Sequence, residues 1–361
     1  MIQLGDICTK SSSNIAQKDL ENCDGVYPIY GASGLIKYVD FYQQENPYVA
    51  VVKDGAGVGR VMQLPAKSSV IGTMQYIIPN EGINVHYLAY AMEHMNLAKY
   101  YTGATIPHIY FKDYCKESLQ AHNLDEQCHI ALMLDKIVAL ISLRKQQLAK
   151  LDELVKARFV EMFGDPVQND KGWPLISIGD IAEIRIGPFG TMLHKEDYIK
   201  GGHALVNPSH IVDGKICVDL NLTVSDEKYR ELASYALQIG DVVLGRRGEM
   251  GRCAVVYESG LLCGTGSMII RPSEKMQPYF FQNILSNPTF KKTIEDKAVG
   301  VTMMNLNIPI VSKLVIPQLP IVLQSSFIDF LRQIDRQKLT IQRSLDKLEV
   351  LKKSLMQEYF G

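Results

Sequence analysis

Arg246, Arg247 and Arg252 lie around Gly245, Gly248 and Gly251, and Lys53 and Arg60 lie around Gly55, Gly57 and Gly59 in an earlier part of the chain. A guanidinium can take a guanine edge bidentately, and either kind of cation can meet a phosphate. The competing reading is a solvated charged turn. Further polar side chains able to meet bases or backbone are Gln75, Thr105 and His108 in the first half, and Thr302 and Asn305 in the second. A polar stretch of the second half adds His194, Lys195, Asn207, Ser209 and His210. For the histidines and threonines a structural role stands open beside nucleic-acid contact.

Other chemistries find weaker footing. A methyltransferase that holds a flipped amino group needs an Asn/Asp-Pro-Pro-aromatic motif, and Asn207-Pro208-Ser209-His210 lacks the second proline and the aromatic. Gly55-Ala56-Gly57-Val58-Gly59 lacks the Lys-Ser/Thr of a phosphate loop and does not match G-x-G-x-x-G, so it reads as a tight turn between strands. Cys115, His122, Cys128 and His129 lie close in sequence, but their spacing fits no paired zinc-ligand pattern, and no metal is expected. No catalytic residue emerges, because triad-like groups assemble only in the fold.

The elements that must position these side chains come in two sets. At 361 residues the chain exceeds a single core, and its 47% hydrophobic and 21% charged residues are those of an ordinary globular protein. A formal net charge of -1 gives no global hint of nucleic acid, yet a locally basic surface remains compatible with it. Seven cysteines form no C-x-x-C pair, which suits a reducing cytosol. The N-terminus has no leader pattern and no stretch approaches a membrane span, so the expected location is cytoplasmic, without membrane contact.

Phe163-Gly164 closes one heptad-patterned segment and Phe360-Gly361 closes another, and at their common offset of 197 Gln127 meets Gln324 and Thr105 meets Thr302. Leu4-Gly5-Asp6-Ile7 matches Ile178-Gly179-Asp180-Ile181 at offset 174. Gly59-Arg60 matches Gly251-Arg252 at offset 192, and Gly72-Thr73 and Ile77-Ile78 match Gly264-Thr265 and Ile269-Ile270 at the same offset. The frame is duplicated, with residues inserted in the second copy. β-Branched and aromatic runs predict strands at 48–52, 59–64 and 75–79, and at 241–244, 252–257 and 267–271. Helical spacing follows at 85–99 and 278–297. This is a mixed α+β module rather than a βαβ series.

Leu134, Ile141, Leu148, Val155 and Met162 recur every seven residues, as do Phe327, Ile334, Ile341, Leu348 and Leu355, with Lys338 and Lys352 interrupting the second seam. Those lysines either face a partner or reach out of the seam to solvent. Two such helices in one chain would pair antiparallel, each about 38 residues and roughly 57 Å long.

On these residues the chain resembles the specificity subunits of type I restriction-modification enzymes. The carriers are Tyr27 to Gly34, Gly187 to Gly190 with Asp197-Tyr198, the run Gly240 to Arg252, and Gly103-Ala104-Thr105 with Gly300-Val301-Thr302. The resemblance implies two target-recognition domains, at residues 1–123 and 165–320, each followed by a long spacer helix, at 124–164 and 321–361, with the helices packed as an antiparallel coiled coil. It implies a non-catalytic chain that reads a split double-stranded DNA site, each domain taking one half. It also implies two methyltransferase subunits carrying S-adenosylmethionine for adenine N6 methylation, and restriction subunits using ATP and magnesium, with no cofactor in this chain. The other readings that stand are the specificity chain of a related enzyme that cuts on both sides of its site, a coiled-coil protein-binding adaptor, and a self-contained methyltransferase or nuclease.

Overall fold

The computed structural model describes the chain except residues 22, 104–106, 190–191, 249 and 301–304. Thr105 and Thr302 lie outside the described residues. The chain divides into two compact units, one of Met1–Leu148 with Thr340–Gly361 and one of Ala149–Leu339. Among the described residues, no helix is long and apolar enough to cross a membrane.

The first unit opens with β1 (Ile2–Gln3), α1 (Leu4–Ile7), β2 (Cys8–Ser12), β3 (Tyr27–Gly31), β4 (Gly34–Val39), β5 (Tyr48–Val52), β6 (Val61–Leu64), β7 (Ser69–Val70) and β8 (Met74–Pro79). It continues through α2 (Val85–His94), α3 (Phe111–Tyr114) and β9 (Ser118–Leu119) into the long α4 (Leu124–Phe163). The order β2-β8-β5-β6 forms one sheet, β4-β3-β7 a second, and β1 pairs with β9. β5 is buried throughout because both of its faces are covered. Val49 and Val51 join Ile77 under Tyr87, Leu88, Ala91 and Met92 of α2, while Tyr48, Ala50 and Val52 pack with Val70, Met74 and Tyr76 on the opposite face. Two layers alternating at the strand period of two residues explain why this run has no polar positions.

The second unit repeats the scheme. It contains β10 (Leu175–Ser177), α5 (Ile178–Ile181), β11 (Ala182–Ile186), β12 (Tyr198–Ile199), β13 (His203–Val206), β14 (Ile211–Val212), β15 (Lys215–Ile216) and β16 (Thr223–Val224). Then come α6 (Asp226–Glu231), β17 (Val242–Gly245), β18 (Cys253–Val255), β19 (Leu262–Cys263) and β20 (Ser267–Pro272). The unit ends with α7 (Pro278–Ser286), α8 (Pro288–Asp296), α9 (Ile308–Ser312), β21 (Val315–Pro317) and α10 (Ile321–Phe360), whose last residues belong to the first unit. The sheet β11-β20-β17-β18 and the pair β10-β21 match those of the first unit, while the second sheet, β12-β16-β13-β19, has one strand more than its counterpart β4-β3-β7. Even the parallel pairing of β3 with β7 recurs in β13 with β19. The fold is α+β, as the sequence predicts.

Two sequence readings are corrected. The helix expected over 278–297 is two helices, because Pro288 has no N–H to continue the ladder and Asn287 caps the second by accepting from the Thr289 N–H at 3.0 Å. The strand match at offset 192 is also shifted by one. Val49 opposite Ile77 corresponds to Val242 opposite Ile270, since both pairs lie on the helix-covered face. That sets β8 against β20 at 193, and a single residue changes the face of every side chain.

Within each unit a stretch of α4 runs antiparallel to a stretch of α10. In the first unit Lys145 pairs with Glu349 at 3.3 Å while Leu134 shares a core with Met356 and Phe360. In the second, Asp152 pairs with Lys338 while Phe159 meets Phe327 at 5.6 Å between ring centroids. Of the seam residues Leu134, Phe327 and Ile334 are buried, and Ile141, Leu148, Val155, Met162, Ile341, Leu348 and Leu355 are half-buried, as a two-stranded seam open to solvent on its sides requires. The repeated Phe-Gly endings have matching partners. Phe163 packs on Phe280 of α7 at 5.0 Å, and Phe360 on Tyr87 of α2 at 5.2 Å, so each long helix ends in the core of the unit built mainly from the other copy.

Candidate nucleic-acid interface

The cation-bearing turns are held by one backbone frame used twice. In the first unit the Val52 N–H donates to the Arg60 carbonyl at 2.9 Å and the Gly59 N–H returns to the Val52 carbonyl at 2.8 Å. In the second, Gly245 donates to Arg252 at 2.7 Å and Gly251 to Gly245 at 3.1 Å. Gly59 has φ of +83°, and a Cβ there would sit 2.4 Å from the Ala98 nitrogen, so no other residue fits.

A second segment is laced along each turn. Thr102 and His108 exchange backbone hydrogen bonds of 2.8 and 2.9 Å, and Ile109 donates to the Lys53 carbonyl at 3.0 Å. Val299 and Asn305 exchange bonds of 3.1 and 2.9 Å, and Leu306 donates to the Arg246 carbonyl at 3.0 Å. The frame therefore places Asp54 across from His108, and Arg247 across from Asn305, each as an isolated antiparallel bridge.

The side chains on this common frame differ. His108 Nδ1 pairs with Asp54, whose other oxygen lies 3.9 Å from Lys53 Nζ. The His108 ring lies 4.2 Å from that of Tyr110, which also receives Lys112 over its face at 5.2 Å. In the second unit Arg247 Nε reaches Asn305 Oδ1 at 3.4 Å. Asp54 and Tyr110 are missed by the sequence reading. The signal for Asp54 lies in the duplication itself, because it occupies the position of Arg247 once the turns are aligned.

The expected site residues do not all share this surface. Gln75 is 4% exposed and bonds to the Tyr114 hydroxyl, so it is a core residue. His210 is buried, its Nδ1 2.7 Å from the Leu205 carbonyl oxygen, and it too is structural. Arg246 is 4% exposed, and burial, with Arg247 beside it, holds its pKa below that of an ordinary arginine. Those three are corrected: strand faces and loop closure decide burial, and neither can be read from polarity alone. Arg60 donates to the Ala32 carbonyl at 2.7 Å and Arg252 to the Ile211 carbonyl at 3.2 Å, so these arginines tie their turns to the residue that follows β3 and to the start of β14. Asn207 accepts from the Gly266 N–H at 3.4 Å. Ser209, His194 and Lys195 are exposed.

The lysines at the helix seam are paired within the chain. Lys338 meets Asp152, and Lys352 meets Glu93 at 2.8 Å and lies over the Tyr90 ring at 5.9 Å.

A family described as the type I restriction modification DNA specificity domain matches residues 1–153 and 170–351. The chain is similar to the type I restriction enzyme MjaVIII specificity subunit of Methanocaldococcus jannaschii, with 21% identity over 368 residues, covering 93% of this chain and 85% of that one. A second protein of that organism, the putative type I restriction enzyme MjaX specificity subunit, is 28% identical over 199 residues, 52% of this chain and 45% of the relative. In structure the chain is similar to the S subunit of a type I restriction-modification system from M. genitalium, with a TM-score of 0.65 at 14% identity over 100% of this chain and 95% of that one. A chain from a structure on complex assembly and conformational transition of the type I R-M system gives 0.61 at 14% identity, with 99% and 96% covered. These two likenesses concern the fold.

Proposed function

Since the chain belongs to the type I restriction modification DNA specificity family, we propose that it is the DNA-reading, non-catalytic subunit of such a system, taking a bipartite double-stranded site split by a gap. The readers are the globular parts at 1–123 and 165–320, and the spacers are 124–164 and 321–361. The observation that carries the reading is the twice-built turn frame, which has one backbone hydrogen-bond pattern and different side chains in its two copies. A reader of two unlike half-sites needs that combination: a constant scaffold fixes the approach, and variable side chains meet the base edges.

The bonds to be made and broken then lie in partner subunits. Two methyltransferase subunits docked on the paired helices bring S-adenosylmethionine and transfer its methyl group to adenine N6, and restriction subunits bring ATP and magnesium. Such a complex works in the cytoplasm, where the DNA is. The side chains of the two bridges and the exposed His194, Lys195 and Ser209 are the candidates for contact with DNA, whereas Arg60 and Arg252 tie the turns that carry Asp54 and Arg247 to neighbouring backbone.

The test is the adenine methylome of the host. Deleting this chain abolishes methylation at one gapped bipartite motif, and restoring it brings the motif back. Unchanged methylation everywhere overturns the proposal.

A further inference from the structure

The two bridges Asp54–His108 and Arg247–Asn305 occupy the same place after the central strand in the two copies and carry different side chains. Asp54 and Arg247 each follow the end of a central strand by two residues, and His108 and Asn305 each precede a short helix. All four side chains are partly exposed. Resting on the function proposed above, we infer that these are equivalent base-reading pairs, one per half-site, with Arg247 selecting guanine and Asp54 selecting a base that offers an exocyclic amino group.

The chemistry follows from what each partner leaves available. Arg247 is oriented through Nε by the Asn305 amide oxygen, so its outer edge presents the two terminal nitrogens. Their parallel N–H bonds fit the O6 and N7 acceptors of guanine. Asp54 is oriented through one oxygen by His108, and a carboxylate accepts at both oxygens. It therefore suits the amino group of cytosine or adenine and repels the acceptor edge of guanine. Bracing of the turn is already accomplished by the backbone bonds of Lys53 with Ile109 and of Arg246 with Leu306. The side-chain pairs are not needed for it.

The full chain is expressed with its partner subunits in a host lacking adenine methylation, and N6-methyladenine is mapped across the genome for the wild type and for Asp54→Ala, Asp54→Asn, Arg247→Ala and Arg247→Lys. Arg247→Ala is expected to relax one guanine position of one half-site by about tenfold or more, the range of a bidentate base contact. Arg247→Lys relaxes it too, because an ammonium keeps the charge and loses the fork. Asp54→Ala and Asp54→Asn relax one cytosine or adenine position in the other half-site. The conservative variants decide the matter if an alanine variant fails to accumulate. A motif unchanged in all variants overturns the inference, as does a uniform fall in methylation without altered preference, which marks phosphate contact or bracing. Changes confined to a single half-site overturn the equivalence of the two pairs. Failure of the wild type to give any motif that depends on this chain instead sinks the function proposed above.

Discussion

At the head of the central strand the two units fill one place with different chemistry. Asp241, 1% exposed, accepts from Arg271 Nε at 2.7 Å and Nη2 at 2.9 Å. The equivalent residues in the first unit are Tyr48 and Ile78, one step along the strands from Val49 and Ile77. There the Tyr48 hydroxyl accepts from Ser68 at 3.0 Å and its ring meets Tyr76 edge-on at 5.1 Å. The difference teaches that the duplication holds backbone register and apolar alternation while leaving individual positions to be solved separately. A frame built this way tolerates exchange of side chains at its reading positions too.

The largest expected effect strikes this contrast directly. Arg271→Ala strands a buried carboxylate, which costs about 3–5 kcal/mol. Tyr48→Phe removes one neutral hydrogen bond and should cost about 1 kcal/mol. Urea unfolding, with hydrogen exchange assigned to each unit, separates the two. Equal losses would break the comparison.

A second test concerns a place where the copies agree. Gln324 Oε1 accepts from the Gln277 N–H at 2.9 Å and its amide donates to Lys275 and Leu319 carbonyls at 3.1 and 2.8 Å. Gln127 does the same with the Asn84 N–H at 2.9 Å and the His122 carbonyl at 2.9 Å. Each glutamine thus ties the start of a long helix to the start of the helix over the sheet. Alanine at either should cost about 1–3 kcal/mol through unsatisfied buried groups, with Gln324 the worse because it serves one more partner. Faster amide exchange at Asn84 or Gln277 reports the loosened joint.

The joint and the helices were readable in the sequence because their signals are periodic or gap-free: heptads, a constant offset of 197, and the paired Phe-Gly endings. The strands were legible as β-branched runs, but their register was not. Matching Gly72-Thr73 to Gly264-Thr265 by identity puts Thr73 one residue off, since the Lys53 N–H donates to Thr73 where the Arg246 N–H donates to Gly266. The site was half legible. Arg247, His108 and Asn305 stand out by type, whereas Asp54 carries the wrong charge for a search led by cations, and Gln75, His210 and Arg246 are polar residues folded inward.

Acid should expose a smaller effect shared by the units. Glu117 is half-buried, which alone would raise its pKa, but bonds from Lys99 and the Tyr100 hydroxyl hold it below the ordinary carboxylate value. Asp165 is likewise lowered against its burial, by the Gln168 N–H, the Thr289 hydroxyl and the Val167 N–H. A carboxylate with a lowered folded pKa stabilises fully above the unfolded value of roughly 4 and loses that contribution as pH falls through the folded value. Melting temperature should therefore fall below about pH 4, and Glu117→Gln should flatten the fall.

The smallest effects lie at the two seam lysines, which share a heptad position on α10. Lys338 has an exposed carboxylate partner, so Lys338→Ala should cost within about 1 kcal/mol, and less in high salt. Lys352 has Glu93 and also the Tyr90 ring, so Lys352→Ala should cost about 0.5–1 kcal/mol more, and the excess should survive salt. Leucine at either site adds apolar surface to a half-buried seam and should stabilise the free chain if the lysine serves only its intrachain pair. Melting curves at low and high ionic strength for the four variants rank these contributions. A larger loss at Lys338 than at Lys352 would show that the seam, and not the ring beneath it, sets the value of the charge.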